Sequence, residues 1–326
     1  MPEPAGWPTR RPRWSESSPV ALNTEGKLTP DELLQMAEDL AWCRPLGPYP
    51  GWSFDCEWRS SSLEFQLRRV IWEHARLLRI SEPFVMEWYH GTRVRCFLGN
   101  DTSKQLFVGG CIDPNEFAFL DDILRPGMMF LDIGANEGLY SILASQKVGA
   151  SGEVWAFEPS PREFRRLDAN LALNECANVE KFDLALGDRE GEAQLAVAGF
   201  GHEGQNTLSS FVYDIELLER IPVAVRRLDE IASRKGLKRL DVVKIDVEGS
   251  EVHVLKGAST VLNDLRPVVI IEAHDQALRT QDNSLEELLE LLCSLGYTVN
   301  SFDPDTGSLG PVESCHVGLN VVAIPT

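Results

Sequence analysis

Residues 128–142 read MMFLDIGANEGLYSI, and no other stretch limits the possible folds as strongly. An apolar run, Met128–Leu131, ends at Asp132. A glycine-bearing turn follows, Gly134-Ala135-Asn136-Glu137-Gly138, and then Leu139, Ile142 and Leu143 fall on one helical face. The pattern is strand, tight turn, helix. Gly134 and Gly138 let backbone approach a ligand where a side chain would obstruct it. The turn opens onto a helix N-terminus, whose free N–H groups and positive dipole end suit an anionic group. Asp132, at the strand end, can accept hydrogen bonds from a ligand amine or help hold the turn. The stretch predicts a nucleotide-type pocket.

The chain around it repeats the theme. Asp113–Leu124 reads as a helix stopped by Arg125-Pro126-Gly127. Val154–Phe157, Val179–Phe182, Val242–Ile245 and Val268–Ile271 read as buried strands. Ser160 with Glu163, and Ser284 with Glu287, have capping-box spacing. Alternating strands and helices predict a parallel sheet covered on both faces. Ligands then bind beyond the carboxyl ends of the strands. Asp132, Glu158, Asp246 and Glu272 all sit at predicted strand C-termini, and four carboxylates at one sheet edge mark it as functional. Upstream, residues 1–60 read as an irregular leader with one short helix, Pro30–Ala41, capped by Thr29. Residues 61–112 read as an appended module of one helix and short strands, Val85–Trp88, Arg93–Leu98 and Leu106–Val108. Residues 113–326 make the main domain.

Composition narrows the partners. A net charge of −19 over 326 residues argues against nucleic acid and against an anionic membrane surface. Seven scattered cysteines without a Cys-x-x-Cys pair read as reduced thiols. The first residues, MPEPAGWPTRRPRW, contain no apolar run of a secretory signal. No run nears the ~20 residues needed to span a bilayer. A soluble, cytoplasmic chain is expected.

Which nucleotide is the next question. A dinucleotide fingerprint needs Gly-x-Gly-x-x-Gly. Here the turn is Gly134-x-Asn136-x-Gly138, and Leu139 stands where glycine should allow close helix packing. Glu158 is placed to take ribose hydroxyls of either ligand class, so the glycines decide. An adenosyl ligand without a pyrophosphate fits better, and Asp132 suits the ammonium of a methionine moiety.

These residues resemble the first motif of class I S-adenosylmethionine-dependent methyltransferases and, more narrowly, the FkbM family. The marks are Asn115-Glu116-Phe117, the run Asp132–Gly138, Phe157-Glu158-Pro159 and Ala185-Leu186-Gly187-Asp188. Above all they are Lys244-Ile245-Asp246-Val247-Glu248-Gly249-Ser250-Glu251 followed by Leu255-Lys256-Gly257-Ala258. Ile271-Glu272-Ala273-His274 completes the set. The resemblance covers about residues 106–326. It implies an α/β, Rossmann-like seven-stranded sheet whose last strand runs antiparallel, preceded here by an N-terminal α+β extension. It implies S-adenosylmethionine as cofactor and methyl transfer to a hydroxyl of a sugar or other natural-product acceptor. By position, Asp132, Gly134, Asn136 and Gly138 line the methionine end, Glu158 binds the ribose, Ala185 and Leu186 flank the adenine, and Glu116 is a candidate for the cofactor lid. Glu137 stands where members often carry an apolar residue.

An acceptor hydroxyl is a poor nucleophile unless its proton is taken during attack. Asp246, at the fourth core strand's end, is the candidate general base or acceptor-orienting group. Glu272 and His274 are candidates for substrate handling. Asp246 with Glu272 could also hold a divalent cation, as in some sugar and catechol methyltransferases, and hard oxygen ligands suit Mg²⁺. No third ligand is evident, so no metal site is assigned. Glu248 and Glu251 are explained as well by a helix start. In the loop Gly199–Ser210, His202, Asn206 and Ser209 are candidates to touch a polyhydroxyl acceptor. The rival functions are an N-methyltransferase, a nucleotide-dependent oxidoreductase and a non-catalytic cofactor-binding subunit.

Overall fold

Helix α1 (Pro30–Leu40) starts at the expected cap, Thr29, which forms a full capping box: Thr29 Oγ1 accepts the Glu32 N–H and Glu32 Oε2 accepts the Thr29 N–H at 2.7 Å. Its apolar side packs on α2 (Leu63–Leu77). The fully buried Arg68 of α2 donates to the carbonyls of Leu40 and Trp42 and so fixes the exit of α1. This computed structural model describes residues 28–47, 49, 62–303, 306–312 and 320–326. Of the leader expected over residues 1–60, residues 1–27, 48 and 50–60 lie outside the described residues.

A hairpin follows, β1 (Phe84–Glu87) with β2 (Arg93–Cys96). The other edge of β2 meets a helix instead of a strand. The N–H groups of Arg93 and Arg95 donate to Asn174 Oδ1 and Asn170 Oδ1, each at 2.8 Å. Side chains thus supply the acceptors that a neighbouring strand would. The strand expected at Leu106–Val108 is not one: Lys104–Gly109 winds as a π-type helical turn. Its apolar residues point into the core beside α2, a demand that three apolar residues in a row meet as well by a turn as by a strand.

The main sheet combines β3 (Met129–Ile133), β4 (Glu153–Phe157), β5 (Val179–Phe182), β9 (Val242–Ile245), β10 (Val268–Glu272), β11 (Tyr297–Phe302), β12 (Leu309–Pro311) and β13 (Asn320–Pro325). Its order is β5-β4-β3-β9-β10-β13-β11-β12. The first five of these are parallel, and β13 runs antiparallel to both neighbours. This is a Rossmann-like arrangement. The expected count was seven; the eighth strand, β12, is a three-residue edge strip on β11. β3 and β9 are buried along their whole length, as strands covered on both faces must be.

The order reverses at β3. Chain leaving β3 turns toward β4 and chain leaving β9 toward β10, so a crevice opens where β3 and β9 lie side by side. A smaller sheet, β6 (Ala185–Leu186), β8 (Leu217–Arg226) and β7 (Gly191–Ala198), stands beside that crevice. The early segments share a core with the main domain: Leu33, Trp72 and Phe107 lie in one apolar cluster with Phe117, Ile142 and Val154. Among the described residues no helix is long and apolar enough to cross a membrane. Cys43, Cys96, Cys176 and Cys293 are free thiols.

Candidate active site

Register brings the acidic edge together. In the β3–β9 pair, Asp132 faces Lys244 and Ile133 faces Ile245. The turns beyond them touch: a Cβ on Gly134, whose φ is +81°, would lie 1.8 Å from the Asp246 carbonyl oxygen. No residue but glycine fits there.

Two cavities meet at this contact. The smaller, about 580 Å³, runs from Gly134 and Asp246 past Glu158 to an apolar end made by Phe157, Leu184, Leu186, Leu195 and Leu208. Ala185 also lines it, as does Asn206. Glu158 directly follows β4 with its carboxylate fixed by backbone: the Asn136 N–H donates to Oε2 at 2.9 Å and the Ser160 N–H to Oε1 at 2.8 Å. The expected capping box is therefore altered. The Ser160 N–H serves Glu158, while the Ser160 hydroxyl donates to Glu163. Asn136 lies in the left-handed region, and its Oδ1 is buried with no hydrogen-bond partner.

The larger cavity, about 1800 Å³, shares Gly134, Asn136, Gly204, Asp246 and Glu248 with the first and extends to Asp113, Tyr140, His202, Glu272 and His274. Lys244 Nζ donates to Asp246 Oδ2 at 2.8 Å and lies 5.0 Å from the centre of the Tyr140 ring. Burial alone would lower the Lys244 ammonium; the carboxylates of Asp246, Asp113 and Glu272 outweigh it and hold it raised. Tyr140 donates to Asp113 Oδ2 at 2.9 Å. His274 stacks on Tyr213 with ring centres 6.2 Å apart. One oxygen each from Asp246, Glu248 and Glu272 lies within 4.8 Å of the others.

Other expected site residues stand back from the cavities. Asp132 is 1% exposed, and its Oδ2 accepts from Ser141 Oγ at 2.5 Å, which clamps the following helix to the strand. Gly138 serves as N-cap of that helix, Leu139–Val148. Glu116 lines neither cavity; it accepts from Asn320 Nδ2 at 3.0 Å, because its helix, Pro114–Ile123, delivers it against β13 and away from the smaller cavity. Of the loop candidates, His202 pairs with Asp101 on the larger cavity. Asn206 is held by Glu163 on the smaller one. Ser209 lines neither, since its hydroxyl is spent on the Thr280 carbonyl. Lys244, Asp113, Tyr140 and Glu248 are site residues that sequence reasoning missed. The charge of Lys244 inside an otherwise apolar strand was the available signal.

Buried acids set a pH dependence. Burial raises Asp132 to about 6, Glu137 and Glu251 to about 7 and Glu158 to about 8. Each value lies above the ~4 of an unfolded carboxyl. Between those limits the folded chain holds more protons than the unfolded one, so stability falls as pH rises. Thermal unfolding should therefore show a higher midpoint at pH 6 than at pH 8.5. A midpoint that rises with pH across this window would show these carboxyls to be better solvated than the fold implies.

Residues 132–299 match the methyltransferase FkbM domain family. The chain belongs to that family. The matched region is that family's methyltransferase domain. The chain is 29% identical over 210 residues to the AMB antimetabolite synthetase AmbE of Pseudomonas aeruginosa, covering 55% of this chain and 10% of that one. It is 29% identical over 207 residues to the 31-O-demethyl-FK506 methyltransferase FkbM of Streptomyces tacrolimicus, covering 54% and 75%. A solved structure of methyltransferase FkbM from Methylobacillus flagellatus is 16% identical, covering 69% of this chain and 55% of that chain, with a TM-score of 0.39. The chain thus spans a tenth of the synthetase and about half of the solved chain.

Several family marks in this FkbM chain have plain mechanical roles. Glu251 Oε1 accepts the N–H groups of Val247 and Gly249 at 3.1 and 3.2 Å and so closes the turn that carries Asp246. A Cβ on Gly257 would lie 1.9 Å from the Gly187 carbonyl oxygen, which explains why the Ala185–Asp188 and Leu255–Ala258 marks go together. Glu137, the departure on the turn, is buried and paired with Arg166 Nη1 at 2.7 Å and with Asn100 Nδ2 at 3.2 Å.

Proposed function

We propose that this FkbM methyltransferase transfers the methyl group of S-adenosylmethionine to a hydroxyl of an uncharged small-molecule or glycan acceptor. The observation that carries the reading is the position of Asp246 at the join of two cavities, one lined by Glu158 and an apolar end and the other larger and more polar. The smaller cavity fits the cofactor on three counts. Its far end is apolar, as an adenine requires. Glu158 is held rigidly for a ribose diol. The unsatisfied Oδ1 of Asn136 matches the ammonium of a methionine moiety.

When bound, the cofactor supplies an electrophilic methyl group. Asp246 is then placed to orient the acceptor hydroxyl and take its proton as the new bond forms. Lys244 pins one Asp246 oxygen and leaves the other for the acceptor. The larger cavity's carboxylates, Asp101, Asp113, Glu248 and Glu272, favour an uncharged acceptor over an anionic one. They likewise disfavour nucleic acid. The relative named 31-O-demethyl-FK506 methyltransferase names an oxygen as its methylated atom, in line with this reading.

Calorimetry with S-adenosylmethionine and, separately, with NAD tests the cofactor. The first should bind and the second should not. Glu158→Ala should weaken S-adenosylmethionine binding by about 10- to 100-fold, the worth of the two hydrogen bonds of a ribose diol. Unchanged affinity would remove Glu158 from the ribose site. A methyl-donor assay over a panel of sugar and polyketide hydroxyls then finds the acceptor.

A further inference from the structure

The side chain assigned to the methionine ammonium lies under a roof. Asn136 Oδ1 is shut off from solvent, and a Cβ on Gly204 would lie 3.7 Å from Asn136 Nδ2. Gly204 belongs to the loop 199–210. That loop gives Glu203, Gly204, Asn206 and Leu208 to the smaller cavity and His202, Gly204 and Gln205 to the larger. A ligand reaches Asn136 Oδ1 only after the loop lifts. Polar contacts hold it down. Asn206 Nδ2 donates to Glu163 Oε2 at 2.8 Å, Gln205 Nε2 to Glu248 Oε1 at 2.9 Å, and Thr207 Oγ1 to the Glu248 carbonyl at 2.8 Å. Leu208 adds a partly buried contact with the cluster of Leu195 and Val197. Hydrogen bonds of this kind exchange for water at small net cost, so the loop opens more readily than the strands beside it.

One charged contact reaches the roof from outside both cavities. Arg166, on the helix Pro161–Leu173, lines neither of them. Its guanidinium lies over the Phe97 ring, 3.9 Å from the centre. It forks between two buried carboxylates, Nη1 to Glu137 Oε1 at 2.7 Å and Nη2 to Glu203 Oε1 at 3.5 Å. Glu137 follows Asn136 in the glycine turn; Glu203 precedes Gly204 in the roof. The arm to the turn is a tight charge-assisted hydrogen bond, while the arm to the roof is a longer ion pair. The weaker arm can part while the guanidinium stays paired with Glu137, so opening strands no buried cation. We propose that Arg166 is a positioning residue that latches the roof over the cofactor cavity, and that release of its Glu203 arm gates cofactor entry and exit. What passes this gate rests on the methyl-transfer reading.

The test follows hydrogen–deuterium exchange of the full chain, free and with S-adenosylmethionine, beside the dissociation rate of the labelled cofactor. In the wild type, amides of the free roof should exchange faster than those of β7, and the cofactor should slow them. Arg166→Lys keeps a cation for Glu137 but loses the fork that spans both carboxylates. Glu203→Gln cuts the roof arm from the other side. Each should speed exchange of the free roof by about five- to tenfold, with β3 and β9 as in the wild type, and speed cofactor dissociation by a similar factor. The double variant should go no further than either single one, because both cut the same arm. An Arg166 that merely supports the fold would instead speed exchange in its own helix and in the glycine turn. Either single variant suffices if the other does not fold. Roof exchange unchanged in the folded variants, additive effects in the double, or faster roof exchange with unchanged dissociation overturns the latch. A wild type that fails to bind S-adenosylmethionine, with roof exchange still moved by the variants, overturns the methyl-donor reading and leaves the latch standing.

Discussion

Asp246→Asn is expected to lower kcat by about 10²–10⁴-fold, the usual share of a general base, with S-adenosylmethionine affinity near that of the wild type. The substitution keeps the size of the side chain and leaves an oxygen for Lys244. It removes the group that can carry away the acceptor's proton. The packing of the site does not depend on this side chain, because Gly134 meets the Asp246 backbone carbonyl and not its carboxylate. Turnover measured at saturating cofactor and acceptor, beside a calorimetric Kd for the cofactor, separates the roles. A variant with normal kcat would make Asp246 a mere cap of its turn.

Gly134→Ala should produce the largest loss of stability of any single methyl group added to this chain. Two penalties coincide there. The backbone sits at φ +81°, where an L side chain is strained, and the new Cβ would overlap the Asp246 carbonyl at 1.8 Å. Neither strand can retreat, since β3 is hydrogen-bonded on both sides. A destabilisation of about 3–5 kcal/mol follows, or roughly a 10 °C fall in the unfolding midpoint, with loss of cofactor binding. Gly236→Ala is the control. It sits in the left-handed region at φ +67° with nothing within 4 Å of its Cβ, so it should cost only about 1–2 kcal/mol. Equal effects at both positions would show that backbone strain, and not the contact between turns, sets the requirement.

The sheet and its acidic edge were legible because both follow from local rules. A buried parallel strand is an apolar run, and an acid at its end stands out. Asp132, Glu158, Asp246 and Glu272 were found that way. What chain order hides is which loops face one another. The order β3-β9-β10-β13 sets Glu248 of one turn beside Glu272 of the next strand and Asn320 beyond it. Glu248 was invisible as a site residue because its left-handed backbone, φ +53°, re-aims a side chain that a helix start would turn away. The roles of Asp132 and Glu116 depend on Ser141 and Asn320, partners that no strand or helix period identifies. The strand misread at Leu106–Val108 has the same cause, since its apolar residues satisfy a contact with α2 that only the fold creates.

Glu137 ties the glycine turn to Asn100 and Arg166, while Asn170 and Asn174 hold the edge of the early hairpin. The segment from α2 through the hairpin to Asn100 is thereby stitched into the same polar and apolar interior as the turn. It cannot be exchanged between relatives as a cassette. A chimera joined just before Asp113 would strip a buried carboxylate of Asn100 and leave hairpin-binding asparagines facing a foreign surface. Any graft meant to retune acceptor choice must carry Glu137, Arg166 and the two asparagines along with the segment it replaces.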